Sequence, residues 1–63
     1  MNATAIDNNT GTEYELTGET LESLAAEATA LTDNGCEIST VKVYADNGER
    51  IGWVNGDGTW RYV

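Results

Sequence analysis

The chain lacks most of the residues that cross-link small domains through disulfides or metal ions, or that take part in catalysis. It contains no histidine, and its single cysteine, Cys36, cannot form an internal disulfide. A structural zinc site needs about four Cys or His ligands, so no such site can be assembled here. A chain of 63 residues also has little room for a deep cleft. The sequence therefore predicts a protein that is not an enzyme and that holds no metal or cofactor.

Long apolar runs are missing as well. No segment approaches the roughly 20 apolar residues that a membrane-spanning helix needs, and the N-terminus does not resemble a secretory signal. A lone cysteine suits a reducing compartment. We therefore expect a cytoplasmic protein that stays out of the membrane. The hydrophobic content of 40% is sufficient for one folded domain over residues 1–63.

Basic residues are scarce and unevenly placed. Eleven acidic residues face three basic ones, which gives a net charge of −8. Residues 1–40 hold eight of the acidic residues and no base, whereas residues 41–63 hold three of each. Such a field repels nucleic acid and anionic membranes and attracts basic partners. We therefore expect no direct binding of nucleic acid.

One amphipathic helix is predicted over residues 17–34. Thr17 is a suitable N-cap, and the Asn34-Gly35 pair supplies the C-terminal stop, because glycine adopts the left-handed conformation without a steric clash. The apolar residues between them recur at helical spacing and form one stripe. They are Leu21, Leu24, Ala25, Ala28 and Leu31.

The remaining segments read as short antiparallel strands. Residues 2–7 and 12–16 predict a hairpin in which Glu13 and Glu15 share the face opposite Tyr14. Residues 36–45, with a bulge near Ser39 and Thr40, are followed by strands at 50–54 and 59–63. The fold class is therefore α+β, with one helix on a small antiparallel sheet in the order ββαβββ.

Two-residue turns at Asn47-Gly48 and Gly56-Asp57 would fix the register of the last three strands. They place Lys42 opposite Trp53, Tyr44 opposite Ile51, Trp53 opposite Trp60 and Ile51 opposite Tyr62. One sheet face then collects Tyr44, Ile51, Trp53, Trp60 and Tyr62, and the other collects Val41, Val43, Gly52, Val54 and Val63. A single helix covers one face only. The second face requires the N-terminal hairpin, a second copy of the chain in a homodimer, or another partner.

The acidic segment is the predicted partner-binding surface. Its charge density comes within a factor of about two of duplex DNA, which carries one charge per about 1.7 Å. Glu27 is left out because it is expected at the sheet margin, and Asp57 because turn geometry explains it. The chosen residues are Glu13, Glu15, Glu19, Glu22 and Asp33. A solvated acidic surface without a partner, or adaptation to a salty host, would also account for these charges.

This profile resembles that of small phage-encoded inhibitors of bacterial defence, the anti-CRISPR and anti-restriction proteins that mimic DNA. The resemblance lies in the size, the helix-and-sheet plan and the acidic run from Glu13 to Asp33. It implies inhibition by protein–protein interaction, in which the acidic surface occupies the basic DNA-binding surface of a host effector protein or complex.

The C-terminal hairpin resembles one choline-binding repeat of cell-wall proteins, with Gly-Trp, a turn and then Gly-x-Trp. This resemblance implies a ligand-binding or self-associating module built on the aromatic residues, which are Tyr44, Trp53, Trp60 and Tyr62. Trp53, Trp60 and Tyr62 would then surround a quaternary ammonium group through cation–π attraction. The sequence departs from the repeat at Arg61, and only one copy is present. Cross-strand packing of the same aromatic residues is the structural alternative.

Overall fold

One helix lies across one side of a five-stranded antiparallel sheet in the computed structural model, which describes residues 1–63. The predicted α+β class and the ββαβββ order are confirmed. Across the sheet the strands follow the order β2-β1-β3-β4-β5. The elements are β1 (Asn2–Ile6), β2 (Glu13–Thr17), α1 (Leu21–Asp33), β3 (Thr40–Tyr44), β4 (Arg50–Asn55) and β5 (Trp60–Tyr62).

The helix α1 begins one turn later than predicted. Its N-cap is Thr20, whose Oγ1 accepts a hydrogen bond from the Ser23 amide at 3.0 Å, while Ser23 Oγ accepts one from the Thr20 amide at 3.4 Å. Thr17 instead ends β2 and pairs with Asn2. The predicted C-terminal stop is confirmed, since Gly35 has φ +95. With 13 residues, α1 is not long and apolar enough to cross a membrane.

The hydrophobic core lies between α1 and the sheet side that the helix covers. Alternating strand residues point inward from β1 to β4, and the predicted stripe of α1 faces them. Gly52 allows the close approach of Leu21, whose Cδ1 would lie only 2.9 Å from a Cβ at that position. The buried hydrophobic residues are Ala3, Ala5, Leu16, Leu21, Leu24, Ala25, Ala28, Val41, Val43 and Val54.

The N-terminal hairpin extends the sheet and does not cover it. β1 pairs with β2 on one side and with β3 on the other, so both strands lie in the same layer as the C-terminal meander. Of the three predicted shields for the second sheet face, the hairpin is therefore excluded. We call the helix-free side of the sheet the open face; the residues used below are Thr4, Ile6, Glu13, Glu15, Thr40, Lys42, Tyr44, Trp53 and Arg61.

The first C-terminal turn has three residues rather than the predicted two. The Ala45 amide donates to the Glu49 carbonyl oxygen at 2.8 Å, and Gly48 closes the loop with φ +88. Tyr44 therefore lies opposite Arg50, and the predicted pairing of Tyr44 with Ile51 is wrong. A bulge between Val43 and Tyr44 then restores the register, so Lys42 faces Trp53 as predicted.

The bulge lies outside its predicted place near Ser39 and Thr40, because Val43 pairs with Gly52 and Tyr44 with Arg50, which leaves Ile51 of β4 as the extra residue. The bulged strand leaves Ile51 packed against the core. Ile51 therefore does not belong to the predicted aromatic face.

The second turn also has three residues, and no bulge compensates for it. The Asn55 amide donates to the Thr59 carbonyl oxygen at 2.9 Å, with Gly58 at φ +92. Every pair between β4 and β5 is shifted by one residue from the prediction. The observed pairs are Gly52 with Tyr62, Trp53 with Arg61 and Val54 with Trp60. Because a shift of one residue exchanges the two faces, Trp60 and Tyr62 lie on the helix-covered side.

Candidate functional site

Three of the predicted partner-binding carboxylates lie on the helix side of the molecule. Glu22 in the first turn of α1 and Asp33 at its end are about three turns apart, which places them on the same side of the helix. Glu19 lies outside the helix, one residue before the N-cap Thr20. All three side chains are exposed. They form what we call the helix carboxylates: Glu19, Glu22 and Asp33.

The other two predicted residues lie on the opposite side of the sheet. Glu13 and Glu15 alternate with Tyr14 and the buried Leu16 in β2, so they project from the open face. The Thr4 Oγ1 donates a hydrogen bond to Glu15 Oε1 at 3.0 Å. The sheet thus separates the five predicted residues into two groups, and they do not form one continuous surface.

None of these five carboxylates is neutralised within the chain. The ion pair in the structure joins the N-terminal ammonium to Asp46 at 3.7 Å, and no Lys or Arg nitrogen lies within 4.0 Å of a carboxylate oxygen. The Asp46 side chain is itself 94% exposed, so this pair contributes little to stability. The absence of a basic neighbour, inferred from sequence for each segment, therefore holds in three dimensions.

Asp7 is an exception among the acidic residues of the N-terminal half. It is only 5% exposed, and its Oδ1 accepts hydrogen bonds from the Asn9 amide at 2.9 Å and the Glu37 amide at 3.2 Å. These two hydrogen bonds hold the pKa of the Asp7 carboxyl below its ordinary value, and the one from the Asn9 amide has the larger effect. Asp7 joins the first hairpin to the segment before β3 and does not face a partner.

All three basic side chains gather around Trp53 on the open face. The guanidinium carbons of Arg50 and Arg61 lie 4.8 and 4.6 Å from the centroid of the Trp53 ring. Lys42 is the residue of β3 directly opposite Trp53. This basic cluster (Lys42, Arg50 and Arg61) was missed by the sequence analysis. A three-residue turn ending in Gly58 would have revealed it, since that register places Arg61 beside Trp53.

The four aromatic residues of the alternative site do not form one surface. Tyr44 and Trp53 belong to the open face, whereas Trp60 and Tyr62 are on the other side of the edge strand β5. The rings of Trp60 and Tyr62 meet edge to face, with centroids 5.8 Å apart and planes at 89°. Trp53, which the choline-binding resemblance places in a cation cage, already contacts two cations of its own chain.

A groove of about 350 Å³ runs along the centre of the open face. It forms because β1 and β3 pair only at Asn2 with Tyr44 and Ala3 with Val43, and the strands then diverge. Hydroxyl and amide side chains share its walls with three hydrophobic residues, so the centre of the open face is of mixed polarity. The lining residues are Thr4, Ile6, Asn8, Ser39, Thr40, Val41, Lys42 and Tyr44.

Cys36 contacts a phenol rather than a catalytic base. Its Sγ lies 3.7 Å from the Tyr14 Oη, and the hydrogen bond between the two groups raises the pKa of the Tyr14 hydroxyl. No group of three or more Cys, Asp or Glu side chains lies close enough together to hold a metal ion. The arrangement supplies charge and surface, and we find no nucleophile–base pair in it.

No protein-family model, no curated protein and no solved structure matches this chain. Its function therefore has to be inferred from its own residues and geometry.

Proposed function

We propose that this protein binds a basic, nucleic-acid-binding surface of a host protein complex and excludes DNA from it. The observation that carries the proposal is the separation of charge. The helix carboxylates are exposed and unpaired, while every basic side chain of the protein is gathered around Trp53 on the open face.

The fold gains nothing from this separation. The unpaired carboxylates add to the net negative charge of the chain, and the self-repulsion of that charge lowers the free energy of unfolding slightly. The same carboxylates become favourable when a groove lined with Lys and Arg approaches, because each attraction is then formed without first breaking an internal ion pair. The arrangement is therefore better explained by a partner than by stability.

The spacing of the helix carboxylates along α1 also suits a groove that binds nucleic acid. Glu22 and Asp33 lie about 16 Å apart along the axis of α1, at about 1.5 Å of rise per residue. That distance corresponds to roughly five base pairs of duplex DNA at about 3.4 Å each. A basic surface that follows a phosphate backbone could contact both ends of α1.

The resemblance to phage-encoded DNA mimics makes a bacterial defence complex the first target to test, in the cytoplasm of the host cell. The test is a pull-down with the full chain from lysates of defence-bearing bacteria, followed by mass spectrometry. Duplex DNA is added to elute the captured proteins, and NaCl is varied in parallel. We expect a nucleic-acid-binding complex that DNA displaces and that is released steeply as salt rises, because carboxylates replace phosphates on the same groove.

Two charge-reversal variants make this experiment specific. Glu19→Lys combined with Glu22→Lys should abolish capture, because each change replaces an attraction by a repulsion. Asp46→Lys combined with Glu49→Lys alters the net charge equally, but in the neutral half of the chain, and should retain capture. Equal capture by both double variants, or a captured complex that DNA fails to displace, would contradict the proposal.

A further inference from the structure

Charge on the open face is ordered from one edge of the sheet to the other. Glu15 on the edge strand β2 pairs with Thr4. On the other side of the sheet, Lys42 pairs with Trp53 and Trp53 pairs with Arg61 of the edge strand β5. If the register of β1 with β3 is extended across the groove, where the two strands no longer pair, Thr4 comes to the level of Lys42. One row across the sheet therefore begins with a carboxylate and ends with a guanidinium.

Both ends of this row are held in position. The Thr4 hydroxyl donates to Glu15 at 3.0 Å and keeps the carboxylate over the sheet. Arg61 stacks over Trp53, with its guanidinium carbon 4.6 Å from the ring centroid. Stacking uses the flat side of a guanidinium and leaves its N–H edge free for a bidentate contact with a carboxylate. No carboxylate oxygen of the same chain lies within 4.0 Å of an Arg61 nitrogen.

A second copy of the chain supplies the matching surface. Because β3 is the middle strand, a two-fold rotation about an axis along β3 exchanges β2 with β5 and turns the two open faces toward each other. Positions along the strands are preserved, so Glu15 of each copy comes to lie over Arg61 of the other. An axis across the strands would instead bring β2 over β2 and Glu15 over Glu15. Charge therefore selects the first arrangement.

We propose that two copies of this chain associate face to face through their open faces, with β2 of each copy over β5 of the other. The contact is isologous, so the Glu15–Arg61 attraction occurs twice. The partly exposed side chains of Ile6, Tyr44 and Trp53 lose water in the same step. The two helices lie on the outside of the dimer.

The size of the open face makes this a weak dimer. The molecule measures only 30 × 19 × 16 Å, which limits the area that any one of its faces can bury. Specific stable interfaces bury about 800 Å² per partner. The polar side chains in the central groove, the approach of the two Lys42 side chains and the repulsion between two chains of charge −8 all act against association. Association is therefore concentration-dependent, and the Glu15–Arg61 contacts decide whether it occurs.

This inference does not rest on the proposed function. The dimer leaves the helix carboxylates exposed on its two outer sides, so partner binding and self-association use different residues. The protein alone is sufficient to test self-association, and failure of one proposal leaves the other standing.

Sedimentation velocity of the full chain over a range of concentrations up to about 1 mM provides the test. We expect a reversible monomer–dimer equilibrium in the wild type. Glu15→Arg and Arg61→Glu should each weaken it by at least about tenfold, since each places like charges together twice. Combining the two changes restores opposite charges in both contacts and should return the dissociation constant to within about threefold of the wild type.

Glu22→Arg is the matched control. It reduces the repulsion between the two chains as much as Glu15→Arg does, but on the helix side, and should leave dimerisation unchanged or strengthen it. A circular dichroism melt of each variant verifies that it is folded. A wild type that stays monomeric throughout the range, or a double variant that fails to recover association, would overturn the proposal.

Discussion

The same strands give the two faces of the sheet different kinds of side chain. Apart from the exposed Trp60 and Tyr62 on the edge strand β5, the covered face carries mainly alanine, valine and leucine, which pack against α1 and are almost fully buried. The open face carries threonine, glutamate, lysine and the Arg-flanked Trp53. Strand alternation separates the two sets residue by residue. Packing against α1 therefore determines which residues make up the covered face, whereas charge determines which residues make up the open face.

The same contrast holds between the halves of the chain. Residues 1–40 carry all of the charge excess, yet they also supply seven of the ten core residues, from Ala3 to Ala28. The acidic half is therefore an integral part of the fold and not an appended tail. Apart from the buried Asp7, its charged side chains lie on surfaces that the core does not use.

The largest effect is expected on the covered face. Leu24→Ala removes a fully buried side chain at the centre of the α1 stripe, so it should lower the free energy of unfolding by roughly 2–4 kcal/mol. Ile6→Ala on the open face, where Ile6 is 48% exposed, should cost roughly 1 kcal/mol or less. Urea denaturation of both variants measures the difference. Equal losses would show that the open face is also packed.

Gly52→Ala sharpens the comparison, because it adds one methyl group to the covered face. The added Cβ would collide with the Arg61 carbonyl oxygen and approach Leu21. We expect a loss of about 1–3 kcal/mol, together with faster amide exchange in β5. Gly11→Ala is the control, since its Cβ meets no atom within 4 Å and only the left-handed backbone at φ +79 opposes it. Undisturbed exchange in β5 would contradict the close approach.

Asp7 should make stability depend on pH in a defined direction. Its pKa is lowered in the folded state by the Asn9 and Glu37 amides, so its contribution is fully present above the unfolded carboxyl pKa of about 3.9 and is lost as pH falls through the lower folded value. The free energy of unfolding of Asp7→Asn should therefore fall less on acidification than that of the wild type. Parallel pH profiles would show that the carboxylate has no such role.

Sequence reasoning predicts the elements well, because their signals are local. The apolar stripe of α1, the Gly35 stop and the alternation around Tyr14 each depend on residues within one segment. The helix start is wrong because two threonines compete for the cap. Thr17 is drawn into β2 by pairing with Asn2, and Ser23 completes the cap of Thr20.

The candidate site is less predictable, because its geometry depends on the register. Each C-terminal turn has one extra residue, and the one in the second turn decides which side of the sheet receives Trp60, Arg61 and Tyr62. The bulge at Val43 corrects one turn, and nothing corrects the other. The sequence pattern of each segment is sufficient to predict that the five carboxylates are exposed. Only the three-dimensional structure shows that they are divided between two sides of the sheet.

The central claim is that the helix carboxylates have no attractive partner within the fold. The smallest of the expected effects tests this claim most directly. We would measure the free energy of unfolding by urea denaturation between about 20 and about 500 mM NaCl, at a concentration that keeps the chain monomeric. Screening should raise the stability of the wild type, because salt weakens carboxylate repulsion. The rise should be smaller in the Glu19→Lys, Glu22→Lys double variant. Stability that falls as salt is added would show that attractive ion pairs dominate, and would contradict the claim.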